Sequence, residues 1–399
     1  MIILWYNSGR NVVSGLKNIV GIICEYNPFH NGHVYHLEQV KKLFPESIVI
    51  LVMSGNFTER GIPSVLDKWD KTEIALEYGI DLVVELPFPF ATQSADVFAS
   101  GAIQILKALK AEYLVFGSEQ DISKFYSLAN ISLYDENYKE KVQEYMDLGE
   151  NYPTALSMAL SDVSDISISS PNDLLAFSYI KEIIRQDAKI EAVRIERTNS
   201  YHDTILHNSI SSATSIRKAL LEKKDISLDV PEITYQKLKR RAYFQEDYFP
   251  FLKYKIQSSS DLSIYQTVDE GIENRILSVI DDATSWEDLC QKIKTKRYTY
   301  NKINRMLIHI LCDFTKKDAK NMKNIEYIRI LGFNKFGQEY LNSIKKICEV
   351  PIVTNFSKKF KMLALEKKVT AVYLSPLSED EKVIELKKEY QNPPKKKEF

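Results

Sequence analysis

Cysteine is scarce. The four residues Cys24, Cys290, Cys312 and Cys348 are scattered over 399 positions, and no two form a C-x-x-C pair. That spacing excludes a zinc knuckle and a disulfide framework and fits a reducing, cytoplasmic setting. Charge of one sign is not in excess either: Lys and Arg number 53, Asp and Glu 54, for a formal net charge of −1. Nothing global announces a polyanionic partner, so any basic surface must be local and offset by acid elsewhere. No apolar run approaches the ~18–20 residues that a membrane helix needs. The opening "MIILWYNSGRNVVSGLKN" has no positive region ahead of its short apolar stretch and does not read as a signal peptide. Repeats are absent. What is present is an ordinary globular composition, 44% apolar and 27% charged, with length enough for two or three domains.

The first half alternates apolar, β-branched runs with helical patterns. "NIVGIIC", Ser47–Ser54, Asp81–Pro87, Glu112–Ser118 and Lys189–Ile195 are almost continuously hydrophobic, as strands buried on both faces of a parallel sheet must be. His33–Phe44, Lys68–Tyr78, Ala95–Leu109 and Asp173–Gln186 read as helices between them. This βαβα order predicts a doubly wound α/β domain with a parallel sheet, over residues 18–225. Residues 1–17 read as an extension, either an upstream-start artefact or an arm. From about Ser212 the pattern turns helical, and residues 226–380 read as a mainly helical region closed by a small α/β segment, "YIRILGF" and "VPIVTNF" around "FGQEYLNSIKKIC". The Pro- and Lys-rich tail, 381–399, is expected to be disordered.

Chemistry concentrates in "CEYNPFHNGHVYH", which holds three of the six histidines. A strand precedes it and a helix follows, with Asn27, Pro28, Asn31 and Gly32 making the turn. An open α/β sheet binds its ligand there, beyond a strand's carboxyl end and at a helix N-terminus. Free N–H groups and the helix dipole favour an anion, and Gly32 permits close approach. His30 and His33 can donate to phosphate oxygens. Zinc is the rival, since His33 and His36 share a helix face. No H-E-x-x-H motif occurs, however, and Glu25 and Glu38 stand at no recognised ligand spacing, so no metal site is expected. The plain alternative of packed or solvated rings suits His36 better than the His30–Gly32–His33 unit.

"HNGH" resembles the H-x-G-H signature of the nucleotidylyltransferase superfamily, whose members attack the α-phosphate of ATP and release pyrophosphate. "ISSATSIRKAL" (Ile210–Leu220) resembles its second signature, a Ser/Thr-rich helix start ending in arginine; alone such a start is a commonplace cap. "EYNPFHNGHVYH", "VMSGNFTERGIPS", "DLVVELPFPFATQSADVFASGAI", "FGSE", "SPNDLLAFSYIKE", "RTNSYHD", "TKRYTY" and "YIRILGF" follow in an order that resembles the tRNA(Met) cytidine acetate ligase family, from about Asn18 to near Pro376. K-M-S-K-S, the mark of a class I tRNA synthetase, is absent.

The resemblance implies an enzyme, with no structural metal, that activates acetate with ATP and acetylates the wobble cytidine of elongator tRNA(Met). Mg²⁺ would accompany the triphosphate. It implies catalytic roles for His30, His33 and Arg217. ATP would be lined by Ile23, Cys24, Glu25, Tyr26, Asn27, Pro28, Phe29, His30, Asn31, Gly32, His33, Val34, Tyr35 and His36. Gly117, Asn172, Arg197, Thr198, Ser212 and Thr214 would complete the nucleotide site. Without the resemblance, Gly117 reads equally as a turn glycine and Asn172 as a helix-start residue. By its position after the second strand, the polar loop Ser54–Ser64, with Asn56, Thr58, Glu59 and Arg60, lies on the ligand side and would position acetate or the target base; an ordinary surface loop is the alternative.

"KIKTKRYTYNKINR" (Lys292–Arg305) carries six basic residues, two tyrosines and no acid. Lys294, Lys296, Arg297, Lys302 and Arg305 would neutralise phosphates, while Tyr298 and Tyr300 would stack on bases. "YQKLKRRAYF" (Tyr235–Phe244) is a second candidate. A solvated helix face is the commoner explanation of one such run. Two rivals remain open at this stage: an adenylyltransferase acting on a small phosphorylated metabolite, and a non-catalytic ATP- and RNA-binding protein.

Overall fold

Runs of aliphatic residues with no polar alternation are stable as strands only when both faces are covered. The computed structural model describes residues 17–164, 168, 170–196 and 211–398, and shows how that covering is achieved. Its strands are β1 (Ile19–Cys24), β2 (Ile48–Ser54), β3 (Leu82–Leu86), β4 (Tyr113–Ser118), β5 (Glu191–Glu196), β6 (Ile328–Asn334), β7 (Ile352–Val353) and β8 (Lys395–Lys397). They form one sheet in the order β5-β4-β1-β2-β3-β6-β7, with β8 also on β6. The first five are mutually parallel. Order reverses at β1, which has β2 on one side and β4 on the other.

β1 and β2 run in register from Ile19↔Ile48 to Cys24↔Met53. Side chains therefore alternate: Ile48, Ile50 and Val52 enter one core cluster, while Val49, Leu51 and Met53 enter the other. Every residue of β2 is buried. Helices Asn31–Leu43, Lys68–Glu77, Ala95–Ala108 and Pro171–Arg185 lie close to the spans expected from periodicity. Three further helices, Ile122–Tyr134, Glu136–Asp147 and Tyr152–Val163, were not expected. Their apolar stripes are thin; Glu136–Asp147 buries Tyr138 alone. Their starts were nonetheless marked by Asp121, Asp135 and Asn151, whose side chains accept from backbone N–H groups as N-caps.

Three expectations about the C-terminal part need correction. The closing strands exist but form no separate segment, because β6 pairs antiparallel with β3 and extends the first sheet. The helical region likewise shares a core with the sheet: Tyr248, Leu252, Trp286 and Met306 join the cluster that contains Ile50 and Val84. Nor does 381–399 lack structure where it is described. Ser378 and Glu381 form a capping box, the helix Glu379–Gln391 follows, and β8 pairs with β6. Composition misleads here because one charge of the tail is buried. Glu389, 1% exposed, pairs with Lys68 Nζ at 2.9 Å and with the Arg329 guanidinium.

That cluster is self-consistent. Glu85 completes it, 2.6 Å from Lys68 and 3.1 Å from Arg329. Burial works against the charged form of Lys68, but Glu389 and Glu85 outweigh it and hold the pKa above its ordinary value. Glu366 lies close by and accepts from Phe88 N. Burial, with Glu85 beside it, pushes its carboxyl up to about 8, leaving it protonated at neutral pH. Two cations then face two carboxylates.

Candidate active site

β1 delivers the chain at Cys24 to the loop that ends in His30. Asn27 pins this loop: its Oδ1 accepts from Val65 N at 2.8 Å. His30 is the N-cap of the Asn31–Leu43 helix, and its Nδ1 accepts from Gly32 N at 3.0 Å. His33 answers reciprocally, its Nδ1 accepting from His30 N at 3.2 Å. Each neutral ring therefore carries its proton on Nε2, where it is a donor. The ring centroids are 3.9 Å apart. Phe29 stacks on His33 at 5.5 Å and Tyr26 meets it edge-on at 4.8 Å, so the ring is held from two sides.

The backbone of this helix start behaves differently from expectation. Asn31 N donates to Asp229 O, Gly32 N to His30 Nδ1 and His33 N to His30 O. With those three N–H groups occupied, the side chains and not the peptide groups are left to grip an anion.

The second helix start faces the first. Ser212 caps the Ala213–Leu221 helix, accepting from Ser215 N at 3.1 Å. Arg217 donates to Asn27 O at 2.7 Å and to Thr214 Oγ1 at 3.2 Å, which ties the two starts together. Arg60 reaches the same Thr214 oxygen at 3.3 Å. The structure thus brings His30, His33, Ser212, Thr214 and Arg217 onto one cavity of about 810 Å³. That is ample for a nucleotide with room beyond it.

Ile23, Cys24, Glu25, Tyr26, Asn27, Gly32, Tyr35 and His36 line the cavity as well. Pro28, Phe29, Asn31 and Val34 do not, which corrects the continuous lining expected over Ile23–His36. Phe29 is core, Val34 packs against core, and Asn31 Nδ2 turns away to Leu228 O at 2.8 Å. Burial pushes the Cys24 thiol up to about 12, so it is no nucleophile. At the far side stand Gly117, on the end of β4, and Asn172, in the first turn of the Pro171–Arg185 helix. Asn172 Nδ2 is buried and has no partner among the described residues. Arg197 and Thr198 lie outside the described residues.

Two residues at the site escaped sequence reasoning, one beneath the cavity and one on its wall. Lys71 is buried beneath the site and donates to Glu25 O, Ser54 O and Gly55 O at 3.0, 2.8 and 2.8 Å. Burial lowers its pKa to about 8. It holds the carboxyl ends of β1 and β2 together. Tyr152, from the unexpected helices, borders the cavity and donates to Asp96 Oδ2 at 3.3 Å; Asp96 in turn pairs with Lys181. The only signal for either was position at a strand end or helix start, shared with many inert residues.

The basic run divides. Arg305 belongs to the cavity, pairing with Glu59 at 2.9 Å. Gly61 explains how: with φ +71 it packs so tightly that a Cβ there would lie 2.2 Å from Arg305 N. Burial raises the Glu59 pKa, opposed by Arg305. Tyr298 is buried and donates to Asp269 O at 2.6 Å, so it presents no face for stacking and that expectation is withdrawn. Lys302 lies over its ring, 4.2 Å from the centroid. Tyr300 is half exposed, while Lys296 and Arg297 pair with Glu150 and Glu270. Lys294 Nζ folds back on Thr295 O. In the second run, Lys237 and Arg240 pair with Asp70 and Arg241 with Glu381.

Two histidines presenting Nε2–H at a helix start, an arginine-bearing second helix start, and a parallel sheet that reverses order between them define a nucleotidyl transferase of the H-x-G-H type. The HIGH Nucleotidyl Transferase family model matches residues 17–388. The chain is 42% identical over 396 residues to the tRNA(Met) cytidine acetate ligase of Anoxybacillus flavithermus, covering 94% of this chain and 99% of that one. It is 41% identical over 397 residues to that of a Geobacillus species, covering 94% and 98%. Among solved structures it superposes on Thermotoga maritima TmcAL bound with alpha-thio ATP, with TM-score 0.87, 30% identity and coverage of 95% and 99%. The apo form of that protein gives TM-score 0.88 at 31% identity, with the same coverage. The chain therefore belongs to the HIGH nucleotidyl transferases and, among them, to the tRNA(Met) cytidine acetate ligase family.

Proposed function

We infer that this chain is an ATP-dependent ligase that activates acetate to acetyl-adenylate and transfers the acetyl group to the wobble cytidine of elongator tRNA(Met). The observation that carries the activation step is the reciprocal imidazole pair, whose Nε2–H groups share a cavity with Arg217. Acetate attacks the α-phosphorus, and the bond to pyrophosphate breaks. His30 and His33 donate to oxygens that gain charge, while Arg217 neutralises the leaving group. Gly117 and Asn172 receive the adenosine; the unpartnered Asn172 Nδ2 suits an acceptor on it. Ser212 and Thr214 meet the β- and γ-phosphates. Mg²⁺ would arrive with the triphosphate. Among the described residues no group of three or more His, Cys, Asp or Glu is placed to hold an ion, and no step is routed through it.

In the second half the cytidine amine attacks the acetyl carbonyl and AMP departs. The tRNA would lie along the helical region, on Lys294, Lys296, Arg297, Lys302 and the exposed Tyr300. No helix of the described residues is long and apolar enough to cross a membrane. A tRNA substrate would put the enzyme's work in the cytoplasm. Acetate-dependent ATP–pyrophosphate exchange, followed by mass spectrometry of tRNA(Met) for N4-acetylcytidine, tests this reading. Exchange and acetylation are expected. Transfer of AMP to a small phosphorylated metabolite, with no acetyl-adenylate, would establish the adenylyltransferase instead.

A further inference from the structure

We propose that Glu25 is the general base of the acetyl-transfer half-reaction, a role that rests on the ligase reading above. The sheet divides the cavity. Gly117 and Asn172 stand on the β4 side of β1, so the adenosine belongs there, with the α-phosphate at His30 and His33. The β2 side is lined by Glu59, Arg60 and Ile62, from the loop after Ser54, and by Arg305. Arg305 lies on the Tyr300–Leu311 helix and ends the basic run Lys292–Arg305, so the acceptor base arrives from this side. Glu25 follows β1 directly and stands between the two halves.

Of the other acids and imidazoles on this cavity, Glu196 ends β5 on the adenosine side and His36 lies one helical turn beyond His33, while those nearest the reacting centre are engaged. His30 and His33 use Nδ1 as acceptors and hold their protons on Nε2. Asp96 is paired with Lys181 and accepts from Ser178 and Tyr152. Glu59 is paired with Arg305. Glu25 is oriented through one oxygen only. Its Oε1 accepts from Glu59 N at 2.6 Å and from Ser54 Oγ at 3.3 Å. Lys71 anchors its backbone carbonyl from below. Its Oε2 has no hydrogen-bond partner among the described residues, on a side chain that borders the cavity.

The step balances. The cytidine N4 lone pair forms a C–N bond to the acetyl carbonyl carbon. The C–O bond to AMP breaks, and AMP leaves with its electron pair. The N4 proton passes to Glu25 Oε2 and from there to water. Arranging a carboxylate for this is worth about 10²–10⁴ in rate.

Glu25→Gln tests the assignment, because the amide oxygen still accepts from Glu59 N and Ser54 Oγ while the proton acceptor is gone. Two rates are measured on the same sample: acetate-dependent ATP–pyrophosphate exchange, and single-turnover transfer from preformed acetyl-adenylate to a tRNA(Met) transcript. Transfer is expected to fall about a hundredfold or more and exchange by less than about tenfold. Equal losses in the two rates, or transfer near the wild-type rate, overturn the proposal. A wild-type enzyme that makes no acetyl-adenylate sinks the ligase reading instead.

Discussion

Charge is concentrated in two places, and it is treated in opposite ways. Under β3 and β6, Lys68, Arg329, Glu85 and Glu389 are all 3% exposed or less and satisfy one another directly. At the carboxyl end of β1 and β2, half-buried His30, His33, Glu25 and Arg217 are fixed by backbone partners on one side and border a cavity on the other. In the first region every charge meets an opposite charge, and the one oxygen without a hydrogen-bond partner, Glu389 Oε2, is sealed from solvent. In the second, backbone groups do the orienting and leave the reactive atoms facing the cavity. Buried charge alone does not mark a functional site; the identity of the orienting partner does.

The comparison breaks first, and with the largest effect, at Glu389. Glu389→Ala leaves two buried cations facing one fewer carboxylate and detaches the C-terminal helix from β3 and β6. Urea denaturation should show a loss of about 3–5 kcal/mol. A loss below about 1 kcal/mol would mean that the cluster does not anchor the tail. On the cavity side, His33→Asn retains an acceptor near His30 N but removes the Nε2–H donor. Acetate-dependent exchange should fall about 10²–10³-fold, while the unfolding midpoint moves little. Similar exchange rates in variant and wild type would remove the imidazole pair from the mechanism.

His309 sharpens the contrast as a buried titratable group with no carboxylate partner. Its ring nitrogens face Thr92 O at 2.8 Å, Gln266 O at 3.0 Å and Thr267 Oγ1 at 3.1 Å. Burial pushes its pKa down to about 4, against the two carbonyls that favour the charged form. Between pH 6.5 and 4 the unfolded chain binds the extra proton, so this contribution to stability is lost as pH falls through that window. The cost is about 2–3 kcal/mol across it. Denaturation at stepped pH should show that loss in wild type and a flatter profile in His309→Gln. The smallest effect is expected at Tyr300→Ala, with tRNA affinity down about five- to tenfold in a filter-binding titration. Tyr298→Phe, which loses the bond to Asp269 O, should instead register in stability, by about 1 kcal/mol. A reversal of those two results would return stacking to Tyr298.

Much of the nucleotide half was legible in the sequence. β1 to β5 were visible as apolar runs, and the helices between them as periodic stretches. "HNGH" stood out because a strand led in and a helix led out. The three helices from Ile122 to Val163 were missed because their apolar stripes are narrow, although Asp121, Asp135 and Asn151 marked their starts. With them went Tyr152, part of the cavity wall. The tail was misread because lysine and proline content says nothing about whether one glutamate finds two buried cations.

Local pattern alone determined the parallel sheet, the histidines at its carboxyl edge and the capped arginine-bearing helix, because caps and periodicity act over a few residues. Tertiary structure alone decided the rest: that Arg305 enters the cavity while Tyr298 is sealed away, and that Glu25 is left with one oxygen unclaimed. Those outcomes depend on which charges and dipoles the fold brings within a few ångströms across 29 to 246 positions of chain, and no short stretch of sequence carries that information.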